Sequence, residues 1–234
     1  MRNNMRKEFL HEELVTHIPN LMNAYGRFQY HSEPDKIWSL GNEIDHQKHV
    51  YELTAYFNNT DRRTTELQFG LDKMCCDFHS HLSRSLLGNN WTITKNLHKQ
   101  PMLVCFFDHE GTRQRQTLAR SVYPHIHGLL LIHDTTFEKF IDITEKRPNE
   151  RRYLLQKPWA FKEVSFKPTF NGVEGMKEFV SYALKFDKTS AKSGNNLFPW
   201  DIYPKSNKKW NSALNEIPED ELRYYSSALK RYRN

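Results

Sequence analysis

Pro124-His125-Ile126-His127-Gly128-Leu129-Leu130-Leu131-Ile132 is the stretch from which the rest of this 234-residue chain is read. Its apolar run Leu129–Ile132 suits a central strand covered on both faces. Two histidines at i and i+2 of a strand point to the same side. Their imidazoles can therefore converge on one divalent metal, and neutral imidazole suits Mn, Co, Ni or Zn, whereas phosphate chemistry commonly uses Mg or Mn. An interfacial or solvated histidine pair is the plainer alternative. Gly128 is expected to leave room for close approach of a DNA backbone.

The preceding strand candidate, Pro101 to Asp108, ends in Asp108-His109-Glu110. If the two strands form a hairpin, this cluster lies beside the histidines. Asp108 is the preferred third ligand because it is nearer the regular strand, with Glu110 close behind. Residues 109–121 between them read as a long polar loop carrying Arg113, Arg115 and Arg120, which can contact phosphate or simply be solvated.

Further out, His49–Phe57 and Trp159–Phe170 read as strands. Leu71–Leu87 reads as a helix with the stripe Leu71, Met74, Cys75, Phe78, Leu82 and Leu86, stopped by Gly88-Asn89-Asn90. Thr135 and Thr136 are expected to cap a helix reaching about Lys146. Val173–Phe186 is a helix with Met176, Phe179, Val180, Ala183 and Leu184 as its core face. Residues 6–24 show helical spacing interrupted by Pro19, and residues 218–231 suggest a terminal helix. The order strand, helix, strand, strand, helix, strand, helix predicts an α+β fold. Its sheet is antiparallel or mixed, with helices packed mainly on one face. Three units follow: residues 1–47 as a partly helical extension, 48–188 as the main domain, and 189–234 as a basic, aromatic extension.

Within the Val173–Phe186 helix, Tyr182-Ala183-Leu184-Lys185 puts a tyrosine and a lysine three apart, on one side. A tyrosine hydroxyl attacks phosphorus only where cationic groups neutralise the phosphate oxygens and hold the line of attack. Packing is the plainer role for either residue.

Formal charge is +6, which favours a polyanionic partner. Cys75, Cys76 and Cys105 form no disulfide framework or zinc spacing, with Cys75 and Cys76 expected to be packing residues, and suggest a reducing, cytoplasmic setting. No apolar run is long enough for a membrane span, no signal-peptide core is evident, and no Walker loop is present.

At Pro124-His125-Ile126-His127-Gly128 and Tyr182-Ala183-Leu184-Lys185 the chain resembles the HUH endonuclease superfamily, particularly the rolling-circle replication initiators of plasmids and phages. Tyr51–Phe57 loosely resembles the family's first motif, and the resemblance spans roughly residues 48–188. It implies a central antiparallel sheet with the catalytic helix lying over the metal-binding strands. It also implies that His125 and His127, with Asp108 or Glu110, hold Mg2+ or Mn2+. Tyr182 is then the nucleophile on a single-stranded or hairpin origin phosphate, leaving a 5′-phosphotyrosine link and a free 3′ hydroxyl, and Lys185 is the accompanying lysine. Partners implied are origin DNA and a host helicase and polymerase, with the enzyme a monomer or a dimer. A single tyrosine on that helix disfavours a two-tyrosine scheme. The alternatives are a transposase or mobilisation relaxase with the same chemistry, or a noncatalytic nucleic-acid-binding protein.

Overall fold

The computed structural model describes residues 12, 14–23, 25, 26, 29, 49–57, 64–109, 124–144, 161–184 and 200–204. Residues 14–23 form α1. The elements that follow are β1 (Val50–Phe57), α2 (Thr64–Leu87), a short 3-10 helix (Thr94–Lys99), β2 (Met102–His109), β3 (Pro124–Leu131), α3 (Asp134–Thr144), β4 (Phe161–Pro168), α4 (Gly172–Ala183) and β5 (Trp200–Tyr203). The strands make one five-stranded sheet in the order β4-β1-β3-β2-β5. All of its pairings are antiparallel. The α+β class and the antiparallel sheet are thus as expected.

Strand alternation sorts the side chains onto two faces. On one face, Leu53, Ala55, Leu103, Cys105, Ile126 and Leu130 are buried against Phe78, Leu82 and Leu86 of α2 and Phe140 of α3. On the other, Val50, Met102, Val104, Phe106, Leu129 and Leu131 are buried against α4 and α1. Each such aliphatic or aromatic side chain contributes about 1.5–3 kcal/mol on leaving water. His125 and His127 belong to this second face, so α4 lies over the strand that carries them.

Three sequence expectations change here. The helical spacing at the N-terminus continues through Pro19, since residues 14–23 are helical. Leu14, Ile18, Leu21, Met22 and Tyr25 are buried over the sheet, and that packing outweighs the backbone hydrogen bond which proline cannot donate. The Tyr25 hydroxyl and Gln29 Nε2 both donate to the Gln100 carbonyl, at 3.1 and 3.0 Å, tying this segment to the start of β2. The first turn of α3 is met by His133, because the Thr135 amide donates to His133 Nδ1 at 3.1 Å. The Thr136 hydroxyl instead donates back to the His133 carbonyl at 3.0 Å. Cys75 and Cys105 are buried, whereas Cys76 turns outward from α2 and does not pack.

β5 extends the sheet beyond β2, a strand the sequence did not suggest. The C-terminal helix expected at 218–231 and the basic loop with Arg113, Arg115 and Arg120 lie outside the described residues. Among the described residues no helix is long and apolar enough to cross a membrane.

Candidate active site

β3 begins at Pro124, so both histidines lie inside the strand. They are buried to 7% and 8% exposure, with ring centroids 5.0 Å apart and nearly perpendicular. Each meets a side chain from its partner residue on β1, where Tyr56 pairs with His125 and Thr54 with His127. The Tyr56 ring stacks on His125 at 4.9 Å. Thr54 Oγ1 is 3.4 Å from His127 Nδ1, a long hydrogen bond that orients this imidazole.

On the other side of β3, Asp108 pairs in register with His125 and His109 with Pro124, where β2 ends. The backbone therefore brings Asp108, the preferred third ligand, across from the first histidine. Side chains from Phe107 to His109, and Glu110 entirely, lie outside the described residues. Among the described residues no three His, Cys, Asp or Glu side chains form a metal-binding group. The donor set nevertheless suits a divalent ion. Two adjacent imidazoles sit on one face of a strand held on both sides, and a hydroxyl orients one of them.

α4 closes the site from above. Its core face, Met176, Phe179, Val180, Ala183 and Leu184, is buried as expected. Phe179 is the wedge. It meets Phe106 of β2 edge-on at 6.3 Å and His127 at 6.2 Å. One turn further along, the Tyr182 ring lies 5.4 Å from the His127 ring, edge to face, and is 41% exposed. Sequence positions 127 and 182 are thus brought together, with the tyrosine open to solvent. Lys185 lies outside the described residues.

Gly175 lets the segment entering α4 fold back against the helix's first turn. A Cβ there would collide with the Phe170 carbonyl oxygen of the segment leading into the helix. Gly128 has a different role from the one expected. Alternation turns it away from the histidines, and a Cβ would stand 3.0 Å from the Val104 carbonyl oxygen and 3.2 Å from Leu103 Cδ1. It makes room for the core under β3, not for DNA.

Beside Tyr182 a cavity of about 450 Å³ runs between α4 and strands β1 and β4. It is lined by His127, Tyr182, Phe170, Lys167, Glu52, Thr54 and Glu178. The size is that of a small-ligand site, roughly 300–1,000 Å³. Glu52, Thr54, Tyr56 and Glu178 join the site only through the fold. Period-two counting from Tyr56 places the β1 residues on one face, but only the β1–β3 register shows that they share it with the histidines.

No protein-family model matches the chain, and no curated protein and no solved structure shows significant similarity to it.

Proposed function

We propose that the protein is a DNA nicking and joining enzyme that initiates rolling-circle replication in the cytoplasm. The observation that carries this reading is the Tyr182 ring, solvent-open and 5.4 Å from His127, over a strand whose two histidines share one buried face. Tyrosine reaches a phosphodiester as a nucleophile far more readily when it is fixed against the group that handles the phosphate.

In this proposal His125 and His127, with Asp108 or Glu110, hold Mg2+ or Mn2+. When bound, the ion withdraws charge from the phosphate oxygens. Tyr182 Oη forms a bond to phosphorus as the bond to the 3′ oxygen breaks. The tyrosine proton is lost, and the leaving 3′ oxygen is protonated. The products are a 5′-phosphotyrosine link and a 3′ hydroxyl able to prime synthesis, and attack by a 3′ hydroxyl reverses the step. Thr54 and Tyr56 keep the imidazoles in place. Phe179 keeps α4 seated so that Tyr182 stays over His127. Lys185 is assigned to charge stabilisation in the transition state. A host helicase and polymerase would continue from the primed end. A transposase or mobilisation relaxase would use the same site and differ in the DNA it accepts.

The test is incubation of the full chain with supercoiled plasmids carrying candidate origins and with single-stranded DNA, in Mg2+ or Mn2+. A heat- and detergent-resistant protein–DNA adduct is expected, mapped to Tyr182 by mass spectrometry and absent in Tyr182→Phe. Metal-independent DNA binding with no adduct on any substrate would replace this reading with that of a noncatalytic binding protein.

A further inference from the structure

The groove beside Tyr182 carries chemistry that phosphate cleavage does not use. Among the described residues only three large hydrophobic side chains are exposed, Ile93, Phe170 and Tyr182, and two of them line this groove. Phe170 is 60% exposed, with Lys167 Nζ 5.8 Å from its ring centroid. An aromatic ring this open is a stacking platform, since every nucleobase offers a π face.

Two carboxylates line the groove together with the Lys167 ammonium. Glu52 stands on β1, with its carboxylate 3.7 Å from Lys167 Nζ. Glu178 lies on α4 one turn before Tyr182, about 6 Å along the axis. Carboxylates repel phosphate, so they are poor backbone contacts. They only accept hydrogen bonds, and their two oxygens match a pair of parallel N–H donors.

Guanine alone among the DNA bases presents such a pair on its Watson–Crick edge, from N1–H and the 2-amino group. Thymine offers one N–H flanked by two carbonyl oxygens, which a carboxylate rejects. Adenine and cytosine each place an acceptor beside the amino group. Lys167 supplies a donor for guanine O6, and Thr54 adds a hydroxyl. We propose that the groove takes the guanine of a nucleotide next to the scissile phosphate, stacked on Phe170 and read by Glu52 and Glu178.

This assignment rests on the DNA-cleaving reading, and binding separates the two. The full-length Tyr182→Phe protein, in which chemistry is silent, would be titrated against fluorescein-labelled thymine tracts. Each tract carries one central guanine, inosine, adenine, cytosine or thymine. The guanine strand is expected to bind about tenfold more tightly than the all-thymine strand, and inosine, which lacks the 2-amino group, to fall between them. Glu52→Gln with Glu178→Gln abolishes the difference. Phe170→Ala weakens the guanine strand about tenfold, and Phe170→Trp restores it. Phe170 and Glu178 are exposed and Glu52 is half-buried, and unchanged melting curves verify that the variants fold.

Equal affinity for all five strands would overturn the assignment, as would a guanine preference that survives loss of both carboxylates. A carboxylate-dependent guanine preference without any Tyr182 adduct in the wild type leaves the base site standing and removes the nicking reading. An adduct with no base preference does the reverse.

Discussion

Acid should unfold this protein earlier than its carboxylates alone would require, and His79 gives the size of the effect. His79 is buried in α2, where Nε2 donates to the Pro101 carbonyl at 2.8 Å at the entry to β2. Burial pushes its pKa down from 6.5 to about 4, against a smaller opposing effect from that hydrogen bond. The unfolded chain takes up the proton near pH 6.5, while the folded chain resists until about pH 4. Stability is therefore unaffected by this group above pH 6.5 and falls as pH drops from 6.5 toward 4. At 1.36 kcal/mol per pH unit the loss is about 3 kcal/mol. His17 on α1, likewise lowered to about 4 by burial, adds a loss of similar size. Urea unfolding at half-unit pH steps would measure it, comparing the wild type with His79→Gln, whose amide can still donate to Pro101. The variant should lose about 3 kcal/mol less across this interval, with carboxylate effects cancelling in the comparison. Parallel pH profiles for the two proteins would refute the burial argument.

Three further outcomes follow from the packing of the site. Phe179→Ala removes the wedge between Phe106 and His127 and should cost about 3–5 kcal/mol in chemical denaturation, with adduct formation falling more steeply than the folded fraction. Gly175→Ala sets a methyl group against the Phe170 carbonyl, so α4 must shift; a destabilisation of about 1–3 kcal/mol or more is expected, and an unchanged melting temperature would contradict the close contact. Thr54→Val keeps the shape but removes the hydroxyl beside His127 Nδ1; Mn2+ affinity, read by titration of the ion's paramagnetic resonance signal, should drop about 10–100-fold, and an unchanged affinity would show that the hydroxyl does not orient the ring.

Much of the arrangement was legible because periodicity states which residues share a face. The alternation through His125, His127, Leu129 and Leu131 put the pair on one side of a strand, and the stripe from Met176 to Leu184 put Tyr182 on a helix. Periodicity does not state which strand lies beside which. Glu52, Thr54 and Tyr56 became part of the site only through the pairing of β1 with β3. Gly128 was misread for the same reason, as its role depends on Val104 and Leu103 of a neighbouring strand. β5 has only four residues, Trp200-Asp201-Ile202-Tyr203, too few to show a pattern. The cover supplied by α1 was obscured by Pro19, whose local cost is outweighed by long-range burial that no local rule registers.

The two halves of the site rest on unequal foundations. β3 is the middle strand of five, and His125 and His127 each have a partner residue on both sides. Their amides should exchange with solvent deuterium only when the sheet itself opens. Tyr182 is the penultimate residue of α4, a helix outside the sheet that is held through the packing of one face. Deuterium uptake should therefore be faster at the tyrosine than at the histidines. In the proposed nicking reaction the tyrosine side is then the adjustable part, and the strand that carries the histidines is the part that stays still.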